Sequence, residues 1–388
     1  VKQFLRVQEY LPVKNERYSR RLLTEAKEVL LVGKLRIGII GTGFGTLVQA
    51  PAFMLHPECE VVALSGVARA GRARAEADAL GIPRAYDNFT TMLAEEELDL
   101  VSVVSAPNLH HPMTMAALER RIPVLCEKPM AMDLAKAQAM VDGAERRNLF
   151  NAVNFEFRHQ PGRTRLKELV AEGFLGDLVH VSLTWTRAGL EQNLARPMGW
   201  LWSTHTGGGM LGALGSHMVD TLRWCFGDIR AVSGVLTAHV DVRSGQPADA
   251  DDTFAFLAKL SGKATGVVQF LSHCQHGFGV RLEAYGTRGT LVLLDDRTLL
   301  AGRAGESLAE VPLPARFELP GVVYPGNLDP RTIPMIIMVH NLVCGLRGGP
   351  PSPSPEFGTF ADGAAVQAVL DAVRQSHREG RWVDVPPA

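Results

Sequence analysis

Between Leu35 and Phe155 short apolar runs alternate with amphipathic stretches, a pattern that predicts parallel strands joined by helices. The candidate strands are Arg36–Ile40, Glu60–Leu64, Leu100–Val104, Pro123–Cys126 and Asn151–Asn154. Helical stretches fall between them, at Leu47–Leu55, Arg72–Leu80, Phe89–Ala94, Pro112–Arg120 and Asp133–Arg147. Strands rich in Val and Ile, separated by helices about ten residues long, describe right-handed β-α-β units and a doubly wound parallel sheet. Asp133 reads as a helix N-cap. Asn108 to His111 read as a loop between Pro107 and Pro112 at a strand's carboxyl end, where binding loops belong.

Beyond Phe157 the period shortens. Val179–Trp185, Ala231–Val240, Thr253–Leu260, Ala264–His273, Arg281–Tyr285 and Gly289–Leu294 read as longer, often alternating strands. Close turns at Ser261 to Lys263 and Thr287 to Gly289 predict an antiparallel meander, hence an α+β domain with an open sheet packed by helices on its inner face. Val311–Pro334 reads as a proline-rich irregular excursion. Pro350–Pro355 reads as a stiff loop before a last helix from Thr359 to about Arg378. The expected division is an extension at 1–34, a first domain at 35–155 and a second at 156–388.

The chain has 388 residues, 46% of them hydrophobic, enough for two packed cores. Its formal net charge is -1 with Lys and Arg scattered, which argues against a nucleic-acid partner. Cys59, Cys126, Cys225, Cys274 and Cys344 lack C-x-x-C spacing and suit reduced thiols rather than disulfides or a zinc site. No apolar stretch reaches the ~18 residues of a membrane span, so a soluble, cytoplasmic protein without a membrane partner is expected. In the extension, Arg17, Arg20 and Arg21 precede the apolar positions Leu22, Leu23, Ala26, Val29 and Leu30. Its glutamates do not suit an acid-poor transit peptide. It reads as a segment packing on the body or as an upstream start-site artefact.

The first candidate strand ends in Gly41, Gly43 and Gly45. Gly41 allows a tight turn, and Gly43 lets backbone N–H groups approach a dinucleotide pyrophosphate. Thr46 stands where a third glycine is usual. The second strand ends Leu64, Ser65, Gly66, with no acid to bind a ribose 2′-hydroxyl. NADP(H) is therefore favoured over NAD(H), with Arg69 or Arg72 as phosphate partners; Arg72 reads equally well as a solvated helix-face charge. Glu127, Lys128 and Pro129 follow a buried run, which puts a lysine at a strand end beside the cofactor. Partial desolvation there would lower its pKa and let it assist ionisation of a substrate oxygen. Met210, Leu214, Met218 and Leu222 recur with helical spacing after Gly207, Gly208 and Gly209. The same helix carries His217, whose reference pKa of ~6.5 suits proton transfer near neutrality, and Asp220.

These motifs, with Tyr86 to Phe89, Ala106 to His110 and the closing Gly380 to Val383, resemble the glucose–fructose oxidoreductase / inositol dehydrogenase (Gfo/Idh/MocA) family of NAD(P)-dependent oxidoreductases from about Leu35 to Val385. The resemblance implies a Rossmann domain followed by a substrate domain, a cis peptide before Pro129, Lys128 at the catalytic centre and His217 as acid/base. It further implies cofactor contacts from Gly41, Gly43, Phe44, Gly66, Arg69, Ala106, Pro107, Asn108, His110, Glu127 and Lys128. Substrate contacts are expected from Asn154, Arg158, Trp202, His205, Ser216 and His217. Arg158 equally suits an ion pair between domains, and Trp202 and His205 equally suit packing. The adjacent His110 and His111 lack companion ligands, so no metal is expected.

One departure matters. Many relatives carry an aspartate four residues before the histidine, and here that position is Ala213, which leaves Lys128, Asp220 or the substrate to orient His217. The expected reaction is hydride transfer to or from a sugar, cyclic polyol or related small molecule, by a homodimer or homotetramer. The alternatives are a non-catalytic NAD(P)-binding sensor and an NAD-dependent glycoside hydrolase.

Overall fold

The computed structural model describes residues 33–67, 71–188, 195, 198–314, 318–349 and 356–388. The amphipathic segment from Arg17 to Leu30, Arg69 and the Pro350–Pro355 loop lie outside the described residues.

Six parallel strands form the first sheet: β1 (Leu35–Ile40), β2 (Cys59–Ser65), β3 (Arg84–Tyr86), β4 (Leu100–Val103), β5 (Val124–Cys126) and β6 (Asn151–Val153). Their order is β3-β2-β1-β4-β5-β6. The direction of winding reverses between β1 and β4, and such a switch opens a crevice at the strands' carboxyl ends. The helices are α1 (Ala50–Leu55), entered through a wide π-turn at Gly45–Gln49, α2 (Arg72–Leu80), α3 (Phe89–Glu95), α4 (Pro107–Glu119) and α5 (Leu134–Glu145). Asp133 caps α5 by accepting the Lys136 N–H. The loop expected at Asn108–His111 is instead the start of α4. Pro107 takes the first helical position, where its fixed φ suits a helix and its missing N–H costs nothing.

The chain then passes through α6 (Pro161–Ala171), β7 (Leu178–Ala188), α7 (Ser216–Phe226) and β8 (Ile229–Thr237). A two-strand ribbon follows, β9 (Val242–Arg243) with β10 (Gln246–Pro247). Next come β11 (Thr253–Leu260), β12 (Thr265–Cys274), β13 (Gly279–Gly286), β14 (Gly289–Leu294), β15 (Thr298–Arg303) and β16 (Ala309–Val311). The chain closes with α8 (Thr332–Leu346), α9 (Phe360–Glu379) and β17 (Val383–Asp384). The second sheet is ordered β16-β15-β14-β13-β7-β12-β11-β8-β17. The expected uninterrupted meander is corrected at one place: β7 inserts between β12 and β13 and runs parallel to β12. The short connection after Cys274 therefore crosses two strand spacings, roughly 10 Å, instead of closing a hairpin.

Alternation along these strands buries Phe254, Phe256, Val268, Phe270 and Leu282 on one face. Helix α9 packs on β8, on α7 and also on α5, tying the second sheet to the first domain. Helix α8 goes further. Met335, Met338, Val339 and Leu342 share a core with Ile37, Ile39, Phe53 and Leu100 under the first sheet. The expected irregular segment thus ends three residues early, at Arg331, because a helix's first turn tolerates Pro334.

Candidate active site

Gly41 closes β1 with φ 126° and donates its N–H to Ser65 O. A Cβ there would lie 2.1 Å from the Val104 carbonyl oxygen, so β1 and β4 can approach this closely only around glycine. Gly43 has φ 90°, and a Cβ on it would meet nothing within 4 Å. The open space beside Gly43 leaves room for a phosphate to approach the backbone at this strand-to-helix turn. Thr46 Oγ1 accepts the Gly43 N–H at 3.2 Å and donates to Glu76. Arg72 pairs with Glu76 at 2.6 Å on the half-exposed face of α2, as its reading as a helix-face charge expects. Gly66 is buried at the end of β2 with no acid beside it in sequence, and Phe44 lies under the Arg331 guanidinium at 5.4 Å.

Glu127 and Lys128 leave the end of β5, and the Lys128–Pro129 peptide is cis. Glu127 is buried, and its Oε1 accepts from Gln49 Nε2 at 2.7 Å and from Asn154 Nδ2 at 2.5 Å. Its Oε2 accepts the Lys128 N–H at 3.2 Å and lies 3.9 Å from Lys128 Nζ. Ser102 donates to Gln49 from the neighbouring strand. The carboxylate is thus an anchor for the lysine, and the Asn154 amide faces it, leaving Asn154 Oδ1 buried without a partner. His110, expected against the cofactor, is a brace: its ring nitrogens lie 2.9 Å from Pro129 O and 3.0 Å from Ser105 O, deep in the core. Ala106 is the N-cap of α4, and Asn108 Oδ1 is buried with no partner.

The second half of the site enters through Gly207 to Gly209 and a π-turn at Leu211–Gly215 before α7. Asp251 fixes that turn, accepting the Leu211 N–H on Oδ2 at 2.7 Å and the Met210 N–H on its carbonyl at 2.8 Å. The wide turn presents the Ala213 carbonyl to Lys128 Nζ at 3.2 Å. This is the direct link between the lysine and the histidine helix.

His217 stacks on Phe157, ring centroids 3.9 Å apart, and is 1% exposed. Its expected titration near 6.5 is corrected. Burial first, then the Lys128 and Arg163 cations, hold its pKa well below that value, so the ring is neutral at physiological pH. Its Nε2 lies 3.6 Å from Glu156 Oε2, while Nδ1 has no partner.

Asp220 does not orient His217. It binds Arg158, with Nε to Oδ2 at 2.9 Å and Nη2 to Oδ1 at 2.5 Å, and Asp362 lies 3.5 Å from the same guanidinium. Arg158 forms an ion pair, but with acids of its own half of the chain rather than between domains as expected. Trp202 is buried beneath the Arg243 guanidinium at 3.5 Å, and His205 is exposed on a short turn beside Asp249. Neither is brought to Lys128 and His217. Ser216 precedes His217 at the start of α7, with its Oγ buried and unpartnered.

Glu156, Arg163 and Asp251 were missed in the sequence. Glu156 had a signal, since it follows β6 as Lys128 follows β5, at a carboxyl end. Among the described residues, His239, Asp252 and His273 are the group whose ligand atoms lie within 4.8 Å of one another. Protein donors already serve the Asp252 carboxylate: His239 Nδ1 at 2.7 Å and the His239 and Val240 N–H groups. A cleft of about 500 Å³ opens beside Pro107, Pro129, Gly207, Asp251 and Arg374. Lys128 and His217 lie outside its lining, although Pro129, next to the lysine, borders it.

Two family profiles match the chain: an oxidoreductase family with NAD-binding Rossmann fold over residues 35–155, and the GFO/IDH/MocA C-terminal domain over residues 164–292. An uncharacterized oxidoreductase of Synechocystis sp. is 29% identical over 368 residues, spanning 91% of this chain and 96% of that protein. Levoglucosan dehydrogenase of Pseudarthrobacter phenanthrenivorans is 25% identical over 392 residues, spanning 91% of this chain and 98% of that protein. Among solved structures, an oxidoreductase domain protein from Kribbella flavida superposes with a TM-score of 0.80 at 28% identity, covering 92% of this chain and 100% of that one. A levoglucosan dehydrogenase in complex with NADH has the same fold, with a TM-score of 0.80 at 23% identity and the same coverage of both chains.

Proposed function

The chain belongs to the Gfo/Idh/MocA family of NAD-binding oxidoreductases, and on that premise we propose that it moves hydride between a nicotinamide cofactor and a secondary alcohol or carbonyl carbon of a sugar, cyclic polyol or related small molecule. The observation that carries the reading is the bond from Lys128 Nζ to the Ala213 carbonyl, which joins the cofactor-side strand end to the turn that delivers His217.

The nicotinamide, when bound, supplies the hydride acceptor or donor. The chain's residues do the rest. Glu127, fixed by Gln49 and Asn154, holds Lys128 so that its ammonium can hydrogen-bond a substrate oxygen, a bond that strengthens as the oxygen gains charge. Neutral His217 offers a lone pair to the hydroxyl proton. Asn154 Oδ1 and Ser216 Oγ, expected substrate contacts, and Asn108 Oδ1, an expected cofactor contact, are buried without protein partners, which leaves each able to bind a ligand hydroxyl or amide. Relatives named for such substrates include levoglucosan dehydrogenase, a myo-inositol 2-dehydrogenase of Thermotoga maritima and a D-apiose dehydrogenase of Paraburkholderia graminis.

The strand end at Gly66 carries no acid to repel a 2′-phosphate, so NADP(H) is expected to bind at least as well as NAD(H). The working division stays at 35–155 for cofactor and 156–388 for substrate and assembly, in a cytoplasmic homodimer or homotetramer. Among the described residues no helix is long and apolar enough to cross a membrane.

Melting curves with NADH and NADPH, followed by initial rates on levoglucosan, myo-inositol, D-apiose and a D-glucoside, test the proposal. Saturating cofactor at a hundred times its Kd should add about 2.7 kcal/mol of stability. Neither stabilisation nor turnover anywhere in that panel would contradict it.

A further inference from the structure

Hydride transfer leaves a proton to be placed, and in this site the first acceptor is a buried ring whose charged form is disfavoured. The inference that follows rests on the hydride-transfer reading above. Glu156 sits on the turn after β6, 4% exposed, with Oε2 facing His217 Nε2 at 3.6 Å and making no hydrogen bond of its own. The opposite ring nitrogen, Nδ1, is likewise buried and unpartnered. Phe157 stacked on the ring and Phe155 at its edge hold the imidazole plane between the two.

We propose that His217 and Glu156 form a proton relay in which Nδ1 takes the substrate hydroxyl proton as Nε2 gives its own to the Glu156 carboxylate. In the oxidative direction the carbon–hydrogen bond breaks with its electron pair leaving to the cofactor. The oxygen–hydrogen pair closes the carbonyl, and the proton lands on Nδ1. The Nε2–H bond breaks in the same passage and a carboxyl O–H forms. The ring therefore carries the proton through without remaining an imidazolium. It resets when Glu156 returns its proton to Nε2 and Nδ1 releases one to water during product exchange. Glu156 acts through His217 and is a positioning residue. A separation of 3.6 Å is long for a made bond, and such contacts commonly tighten once substrate binds.

The charges around Glu156 suit a relay group. Burial pushes its pKa up, Lys128 opposes that, Glu127 adds to it and Arg163 opposes it, leaving it at about 8. Arg331, before α8, also faces it, while Asp220 on α7 is neutralised by Arg158. Near neutrality the carboxyl is therefore protonated, ready to donate in reduction, and it becomes an acceptor for oxidation as pH rises through 8.

The test compares wild type, Glu156→Gln and Glu156→Asp, using whichever alcohol of the levoglucosan, myo-inositol, D-apiose and D-glucoside panel the wild type turns over fastest. Wild-type kcat for oxidation should climb with pH up to about 8 and then level, and reduction should show the mirror trend. Glu156→Gln should lose about 10²-fold in kcat together with that limb, with KM little changed, and Glu156→Asp should restore the limb in part. A second readout needs no cofactor. A carboxyl whose folded pKa is raised from 4.5 to about 8 makes stability fall as pH rises across that window, so Glu156→Gln should flatten the slope of melting temperature against pH. A Gln variant that keeps the wild-type limb, or loses rate with the limb intact, overturns the relay while leaving hydride transfer standing. A wild type inactive on the whole panel overturns both.

Discussion

At the scale of single residues, burial decides which protonation states exist. His159 has both ring nitrogens buried and unpartnered, and burial, then the Arg158 cation, lowers its pKa to about 3. The folded-state value lies below the unfolded 6.5, so the unfolded chain takes up a proton that the folded one refuses. Stability is therefore whole above 6.5 and drains as pH falls toward 3. His159→Phe is expected to reduce that acid sensitivity without lowering the melting temperature at neutral pH; an unchanged acid slope would contradict it. At this scale the settings of Lys128 and His217, past a buried strand and within a helical stripe, were legible, because the apolar neighbours carry them. Glu156 was not. A glutamate between two phenylalanines says nothing of whether its carboxylate meets water or an imidazole, and that choice is made by α7 packing over the turn after β6. Arg158 was left open between a substrate oxygen and an acid for the same reason: only tertiary packing brings Asp220 and Asp362 to its guanidinium.

At the scale of elements, that pair is a clamp. Arg158 sits in the helical turn Glu156–His159, Asp220 rides on α7, and Asp362 belongs to the capping box of α9. Their side chains are 5% and 3% exposed for Arg158 and Asp220, so removing the acid strands a buried guanidinium. Asp220→Ala should destabilise the fold by about 3–5 kcal/mol in urea unfolding, and Asp220→Asn by less. A loss below ~1 kcal/mol for the alanine variant would contradict the clamp, since that is the worth of an exposed pair. The elements read correctly from sequence were those with continuous apolar runs, notably β1, β2 and β4. Strand β3 was missed because its three residues are partly exposed and carry no such run. Helix α6 was missed because Arg163, Arg165 and Lys167 mask its apolar face, although Arg163 itself is buried against Asp296 and Thr221. The insertion of β7 between β12 and β13 leaves no local trace, because pairing between distant strands depends on where the chain returns.

At the scale of the whole molecule, the second sheet has one face filled by helices and another that bears Val235, Leu257 and Tyr285, exposed at 52%, 48% and 38%. Apolar side chains on an open sheet face favour pairing with another copy. The double variant Val235→Lys, Leu257→Lys is expected to shift the sedimenting species to a smaller assembly with the fold intact; a wild type that already sediments as a monomer would contradict this. The return of α8 to the first sheet, and of α9 to α5, makes the two halves of the chain share packing. Lys128 is expected to serve hydride transfer at a bound nicotinamide. The most direct measurement uses the panel alcohols deuterated at the reacting carbon, with oxidised cofactor, and follows the label into reduced nicotinamide by mass spectrometry for wild type and Lys128→Ala. The account predicts deuterium on the cofactor with wild type, and a rate lower by about 10²–10⁴-fold with Lys128→Ala while that variant still binds cofactor. Label transfer at equal rates in both proteins, or none from any panel alcohol in a wild type that binds cofactor, would contradict it.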